Sequence, residues 1–305
     1  MIFVQSTFAM FDAIAHTIQD QVLNLHGVQV SLRRLDLVHP QISGNKFFKL
    51  KYNFLEAQQQ GYRKILTFGG AYSNHIAATS YAAQQFGFQS IGIIRGEELK
   101  TKALNPTLES ATQFGMQLHF VSREDYRRKQ NPDYLAQLQQ QFPDCYIIPE
   151  GGTNALAIRG CTEILKPSDQ QFDLICCAVG TGGTMTGLIE ASLPQQQILG
   201  FSALKGLFLS DDVAQLTRKR NWKIIDTYCC GGYAKTTPEL LQFMQDFEAM
   251  HDIPLEQVYT AKMMLGIEHL ILQGKISPEQ RVLALHTGGL QGKIKIDSGK
   301  TSVAP

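Results

Sequence analysis

The run Leu174-Ile175-Cys176-Cys177-Ala178-Val179 is apolar at every position and opens directly into Gly180-Thr181-Gly182-Gly183-Thr184. A strand with one wetted face alternates apolar and polar side chains. One without alternation has both faces covered, as in a parallel sheet beneath helices. Seven further stretches read as strands: 65–68, 90–94, 118–121, 146–148, 198–202, 223–225 and 282–286. Between them, segments such as 134–141, 240–250 and 262–273 carry the three- and four-residue spacing of helices. The alternation predicts an α/β architecture with mostly parallel sheets, whose ligands lie at the C-terminal ends of strands.

Thr181, Gly182, Gly183 and Thr184 sit where a buried strand turns into a helix. Glycines there let backbone N–H groups converge, the two hydroxyls add donors, and the helix dipole favours an anion. The expectation is a phosphate cradle. Met185 stands where a dinucleotide fingerprint would need its third glycine, and no Gly-x-x-x-x-Gly-Lys string is present. A plain glycine-rich turn would look the same.

Two stretches nearer the start add charge. In Ser43-Gly44-Asn45-Lys46-Phe47-Phe48-Lys49-Leu50, a turn-prone triplet precedes the apolar face Phe47, Leu50, Phe54 and Leu55. Lys46 and Lys49 therefore stand near the positive end of a helix dipole, an arrangement that suits an anionic ligand and lowers an amine pKa. Two solvated lysines would read alike. In Gly69-Gly70-Ala71-Tyr72-Ser73-Asn74-His75, a strand ends in glycines and Ser73 or Asn74 can cap the helix that follows. A carboxylate fits at such a helix mouth.

Composition excludes several classes. The 305 residues have room for two domains, and a net charge of +1 without basic runs gives no field for nucleic acid or membrane surface. No apolar run is long enough to span a bilayer, and Met1–His16 lacks a basic leader region, so the expected location is the cytoplasm. The six cysteines show no metal-binding spacing and read as reduced core thiols, so no metal is expected.

Gly44-Asn45-Lys46-x-x-Lys49-Leu50 followed by Gly69-Gly70-x-x-Ser73-Asn74-His75 resembles the pyridoxal-phosphate enzymes of the tryptophan synthase β fold, in the branch of the 1-aminocyclopropane-1-carboxylate deaminases and D-cysteine desulfhydrases. The resemblance implies two parallel-sheet domains with pyridoxal 5'-phosphate between them: a smaller one, 50–149, inserted into a larger one made of 1–49 and 150–305. It implies that Lys46 holds the cofactor and moves the Cα proton. Lys49 and Thr181–Thr184 would bind the phosphate and Asn74 the ring oxygen. Ser73, with Asn74 and His75 nearby, would hold the substrate carboxylate, and Tyr233 or Tyr259 would assist proton transfer. A homodimer acting on a small amino acid is implied as well. Leu35–Pro40 reaches the lysine by a shorter path than in the characterised deaminases.

Thr260 and Thr287 bear on the reaction. Cyclopropane deaminases resembling this chain place a glutamate where Thr260 stands, against the pyridine nitrogen, and a leucine at Thr287, whereas the desulfhydrases have hydroxyl residues. A carboxylate makes the ring a strong electron sink, which opening a cyclopropane requires; a threonine supports a weaker one, sufficient when a thiolate leaves. The expected activity is D-cysteine desulfhydrase-like β-elimination. Ring-opening deamination and a non-catalytic cofactor-binding protein are the alternatives.

Overall fold

The computed structural model describes Phe11 and residues 18–206 and 208–294; the opening stretch 1–16 lies, apart from Phe11, outside them. In chain order the elements are β1 (Asp20–Leu25), β2 (Val28–Arg34), α1 (Asn45–Gln59), β3 (Lys64–Gly69), α2 (Asn74–Gln85), β4 (Gln89–Arg95), α3 (Pro106–Gln113), β5 (Met116–Val121), α4 (Arg123–Arg127), α5 (Pro132–Gln141), β6 (Cys145–Ile148), α6 (Ala155–Thr162), β7 (Leu174–Val179), α7 (Gly183–Ala191), β8 (Gln197–Ser202), α8 (Phe208–Leu216), β9 (Trp222–Ile225), α9 (Pro238–His251), α10 (Thr260–Leu272) and β10 (Val282–His286). They build two sheets, a six-stranded one in the order β1-β2-β10-β7-β8-β9 and a four-stranded one in the order β5-β4-β3-β6. Every pairing is parallel except that of β1 with β2.

β7 shows why its sequence does not alternate. Ile175, Cys177 and Val179 enter one apolar core, and Leu174, Cys176 and Ala178 enter the other. The first core includes the inner faces of α1 and α7, the second those of α9 and α10. Phe47, Leu50 and Phe54 are fully buried in the first, each worth roughly 2–3 kcal/mol of burial. All six cysteines are free, five of them buried.

The eight strands expected from the sequence are present; the hairpin β1–β2 was not expected. Its turn is His26-Gly27, both at positive φ, the two-residue geometry that suits a twisted hairpin. The four-stranded sheet draws only on residues 64–148, and the six-stranded sheet draws on residues before and after them. The expected boundary between residues 49 and 50 falls inside α1, because the helix that begins at the candidate lysine continues unbroken to Gln59. Among the described residues, no helix is long and apolar enough to cross a membrane.

Candidate active site

A cavity of about 830 Å³ opens at the C-terminal ends of β3, β4, β6, β7 and β10, so both sheets contribute to its wall. Gly44 makes the entry to α1 possible. It has φ +69°, and a Cβ there would stand 1.9 Å from the Thr287 carbonyl oxygen, so any side chain would push α1 off the end of β10. Asn45 N–H donates to that carbonyl at 3.3 Å, and its side chain donates to Thr184 Oγ1 at 2.8 Å. Behind this junction lies a buried cluster: Arg34 pairs with Asp36 at 2.7 Å, and Asp36 lies 3.3 Å from His286 Nδ1. Asp36 belongs to the Leu35–Pro40 segment, and its carbonyl accepts from Ser43 Oγ at 3.0 Å.

Lys46 reaches the cavity wall, and among the described residues its amine has no hydrogen-bond partner. Burial, aided by the charge of Lys49 one turn on, lowers its pKa to about 7, so near neutrality a large fraction is a free nucleophilic amine. Lys49 spends all three of its N–H bonds. It donates to Gly151 O at 2.9 Å, Thr153 Oγ1 at 2.9 Å and Thr181 Oγ1 at 3.3 Å, and burial lowers its pKa to about 8. Its ammonium thus lies against the Gly180–Thr184 loop at the N-terminus of α7, where Gly182 takes a left-handed φ of +77°.

Ser73 caps α2, accepting from Ile76 N–H at 3.3 Å. Asn74 lines the cavity and accepts from Gln291; a Cβ on Gly289 would lie 2.3 Å from Asn74 Nδ2. His75 turns inward. Thr67 Oγ1 donates to Ile148 O at 2.8 Å, so its lone pair takes the Nε2–H of His75 at 2.8 Å. That leaves His75 Nδ1 bare, buried and without a hydrogen-bond partner, and burial beside Lys46 and Lys49 holds the ring well below its ordinary pKa. A bare acceptor suits a donor, not a carboxylate.

Tyr259 packs on the glycine loop, since a Cβ on Gly180 would stand 2.9 Å from its ring. The Tyr233 ring meets it edge-on with centroids 6.3 Å apart. Burial pushes both phenols up, so both are neutral donors. Thr287 lines the cavity, whereas Thr260 is fully buried and does not. What reaches the wall beside it is Glu256, whose carboxylate accepts from the backbone N–H groups of Val258, Tyr259 and Thr260, each at 2.7 Å.

Sequence reasoning missed Asn45, Glu256, Gln291 and Lys262. The Lys262 ammonium, fully buried, donates to the carbonyls of Cys229 at 2.8 Å and Gly232 at 2.7 Å, pinning the loop that presents Tyr233. Two of them left a sequence signal: Asn45, within the Gly44-Asn45-Lys46 motif, and Lys262, a lysine on the apolar face of a helix. Glu150 lines the cavity with its carboxylate already bound to the Tyr126 hydroxyl at 2.6 Å and Lys129 at 3.3 Å.

These residues fit a phosphorylated aldehyde cofactor. An unpartnered amine of lowered pKa faces the cavity, the glycine cradle carries a lysine, and a buried imidazole acceptor lacks a donor.

The family model described as pyridoxal-phosphate dependent enzyme matches residues 20–288. A protein of Thermotoga maritima named putative 1-aminocyclopropane-1-carboxylate deaminase is 29% identical over 289 residues, covering 88% of this chain and 90% of that protein. A mitochondrial protein of Arabidopsis thaliana named bifunctional D-cysteine desulfhydrase/1-aminocyclopropane-1-carboxylate deaminase is 28% identical over 297 residues, covering 88% of this chain and 74% of that one. A crystal structure of an ACC deaminase homologue superposes with a TM-score of 0.78 at 25% identity, covering 92% of this chain and 95% of that one.

Proposed function

Because this chain belongs to the family of pyridoxal-phosphate-dependent enzymes, we propose that it is a deaminating lyase that eliminates a β leaving group from a small amino acid, with D-cysteine the first candidate. The observation that carries this choice is the state of the one carboxylate at the α10 end of the cavity. Glu256 is held in place by three backbone N–H groups at the start of α10, and the Thr287 hydroxyl stands on the same cavity lining as the group we assign to the pyridine nitrogen. A hydroxyl supports a weaker electron sink than a free carboxylate would, which suits departure of a good leaving group.

Bound at Lys46, the cofactor supplies an electron sink that acidifies the substrate Cα–H. Lys46 and Asn74 would hold its ring end, and Lys49, Thr181, Gly182, Gly183 and Thr184 its phosphate. The free amine of Lys46 takes the Cα proton; the Cβ–S bond breaks and sulfide leaves with its electron pair. The released enamine adds water and loses ammonia, giving pyruvate. Ser73 at the mouth of α2 supports carboxylate binding, and the neutral phenols of Tyr233 and Tyr259 supply protons. We take the working unit to be a cytoplasmic homodimer, with the inserted domain built on the four-stranded sheet of residues 64–148.

A second reading, opening of the cyclopropane amino acid to 2-oxobutyrate, is favoured by the Arabidopsis relative, whose name carries both activities. The test is keto acid release by the cofactor-loaded protein offered D-cysteine, L-cysteine and 1-aminocyclopropane-1-carboxylate. Pyruvate with sulfide from D-cysteine is expected. Production of 2-oxobutyrate alone would replace the first reading by the second.

A further inference from the structure

Arg95, the last residue of β4, stands on the cavity wall and plays no part in the assignments above. Among the described residues its guanidinium has no hydrogen-bond or carboxylate partner. Its place is nevertheless built. It lies beside Gly70, where a Cβ would be in ordinary contact with Arg95 Nη2 at 3.4 Å. The guanidinium carbon lies 5.7 Å from the centroid of the Tyr126 ring, whose own position is fixed by its hydrogen bond to Glu150. The nearby acids are occupied. Glu98 pairs with Arg123 at 2.8 Å, and Glu150 pairs with Tyr126 and Lys129. The charge of Arg95 also reaches the Tyr233 phenol.

With Lys46 reserved for the cofactor and Arg123 paired with Glu98, three groups of the cavity are left to take anions. Lys49 and the glycine loop serve a phosphate, and the capped mouth of α2 serves an α-carboxylate. Arg95 remains, at the exposed end of the cavity beyond Gly70, with its charge unspent. Resting on the lyase reading above, we propose that Arg95 binds a second anionic group on the substrate's side chain, so that beside D-cysteine the site also takes amino acids whose side chain ends in a carboxylate, phosphate or sulfate. A planar guanidinium held against an aromatic face presents a pair of N–H donors to such a group and recognises it in two-point fashion.

The experiment is calorimetric binding of aspartate and alanine, each enantiomer, to the cofactor-loaded protein; neither amino acid carries a β leaving group. Aspartate is expected to bind about 10- to 100-fold more tightly than alanine, the range for one charge-assisted contact. Arg95→Gln is expected to abolish that ratio. Equal losses for aspartate and alanine in Arg95→Gln would assign Arg95 to the shared α-carboxylate and overturn the proposal. A wild-type ratio near one would overturn it too. Failure of the lyase reading is separate: it would show as no keto acid from any substrate while the Arg95-dependent ratio persists. Keto acid release without that ratio would sink only the present inference.

Discussion

Glu256 and Thr260 cap one another. The Glu256 carboxylate accepts the Thr260 N–H at 2.7 Å, and the Thr260 hydroxyl accepts the Glu256 N–H at 3.1 Å, closing the first turn of α10 from both sides. Burial outweighs these bonds and raises the Glu256 carboxyl from 4.5 to about 7. The native state then keeps a proton over a range in which the unfolded chain has lost it. Stability should fall as pH rises from about 4.5 towards about 7, by on the order of 3 kcal/mol. Glu256→Gln, which can still accept at the cap, should flatten that slope in denaturant unfolding of the cofactor-free protein. A slope unchanged by the substitution would show that Glu256 does not titrate there.

Lys46 offers the one amine in the cavity with no hydrogen-bond partner among the described residues. Replacing Lys46 by alanine should remove both the cofactor's point of attachment and the base. Turnover should fall roughly a thousandfold or more, with loss of the bound cofactor's visible absorbance. Substantial residual turnover would count against the assignment.

Lys49 acts on two partners at once. It brings charge to the glycine cradle and also lowers the pKa of Lys46. Lys49→Met should weaken cofactor binding about 10- to 100-fold, as expected for loss of a charged donor. It should also shift the pH dependence of cofactor attachment upward, because Lys46 without a neighbouring cation titrates above about 7. Titrating cofactor into the variant across a pH series reads both effects. Weakened binding with an unmoved pH profile would separate the two roles.

How far the sequence could be read follows from what each feature leaves in its local pattern. β7 was legible because an unbroken apolar run admits few structures, and the mouths of α1 and α2 because a glycine before Lys46 and a cap at Ser73 are local signals. The hairpin β1–β2 was missed although Leu23, Leu25, Val28, Val30 and Leu32 are buried in alternation, since His26-Gly27 is a weaker turn signal than Asn-Gly. The inward turn of His75 was not legible, because its partner Thr67 is set by β3 and its packing against Gly152 by a loop far along the chain. The burial of Thr260 was hidden for the same reason. Spacing places Thr260 at a helix start, but only the fold shows that Glu256 occupies its hydroxyl.

The loop before Tyr233 is held in a costly backbone conformation. Cys230, Gly231, Gly232 and Ala234 all have positive φ, and two of the four are not glycine. The two bonds from Lys262 to the carbonyls of Cys229 and Gly232 offset that cost, and burial lowers the lysine's own pKa. Lys262→Met keeps the stem's packing but leaves two carbonyls without their donor, a loss of about 2–4 kcal/mol if both stay buried. With Tyr233 no longer fixed against Tyr259, kcat should fall several-fold while cofactor affinity, set by Lys46, Lys49 and the glycine loop, stays near wild type. Cofactor affinity and kcat lost together would mean that Lys262 supports the whole cleft and not the Tyr233 loop alone.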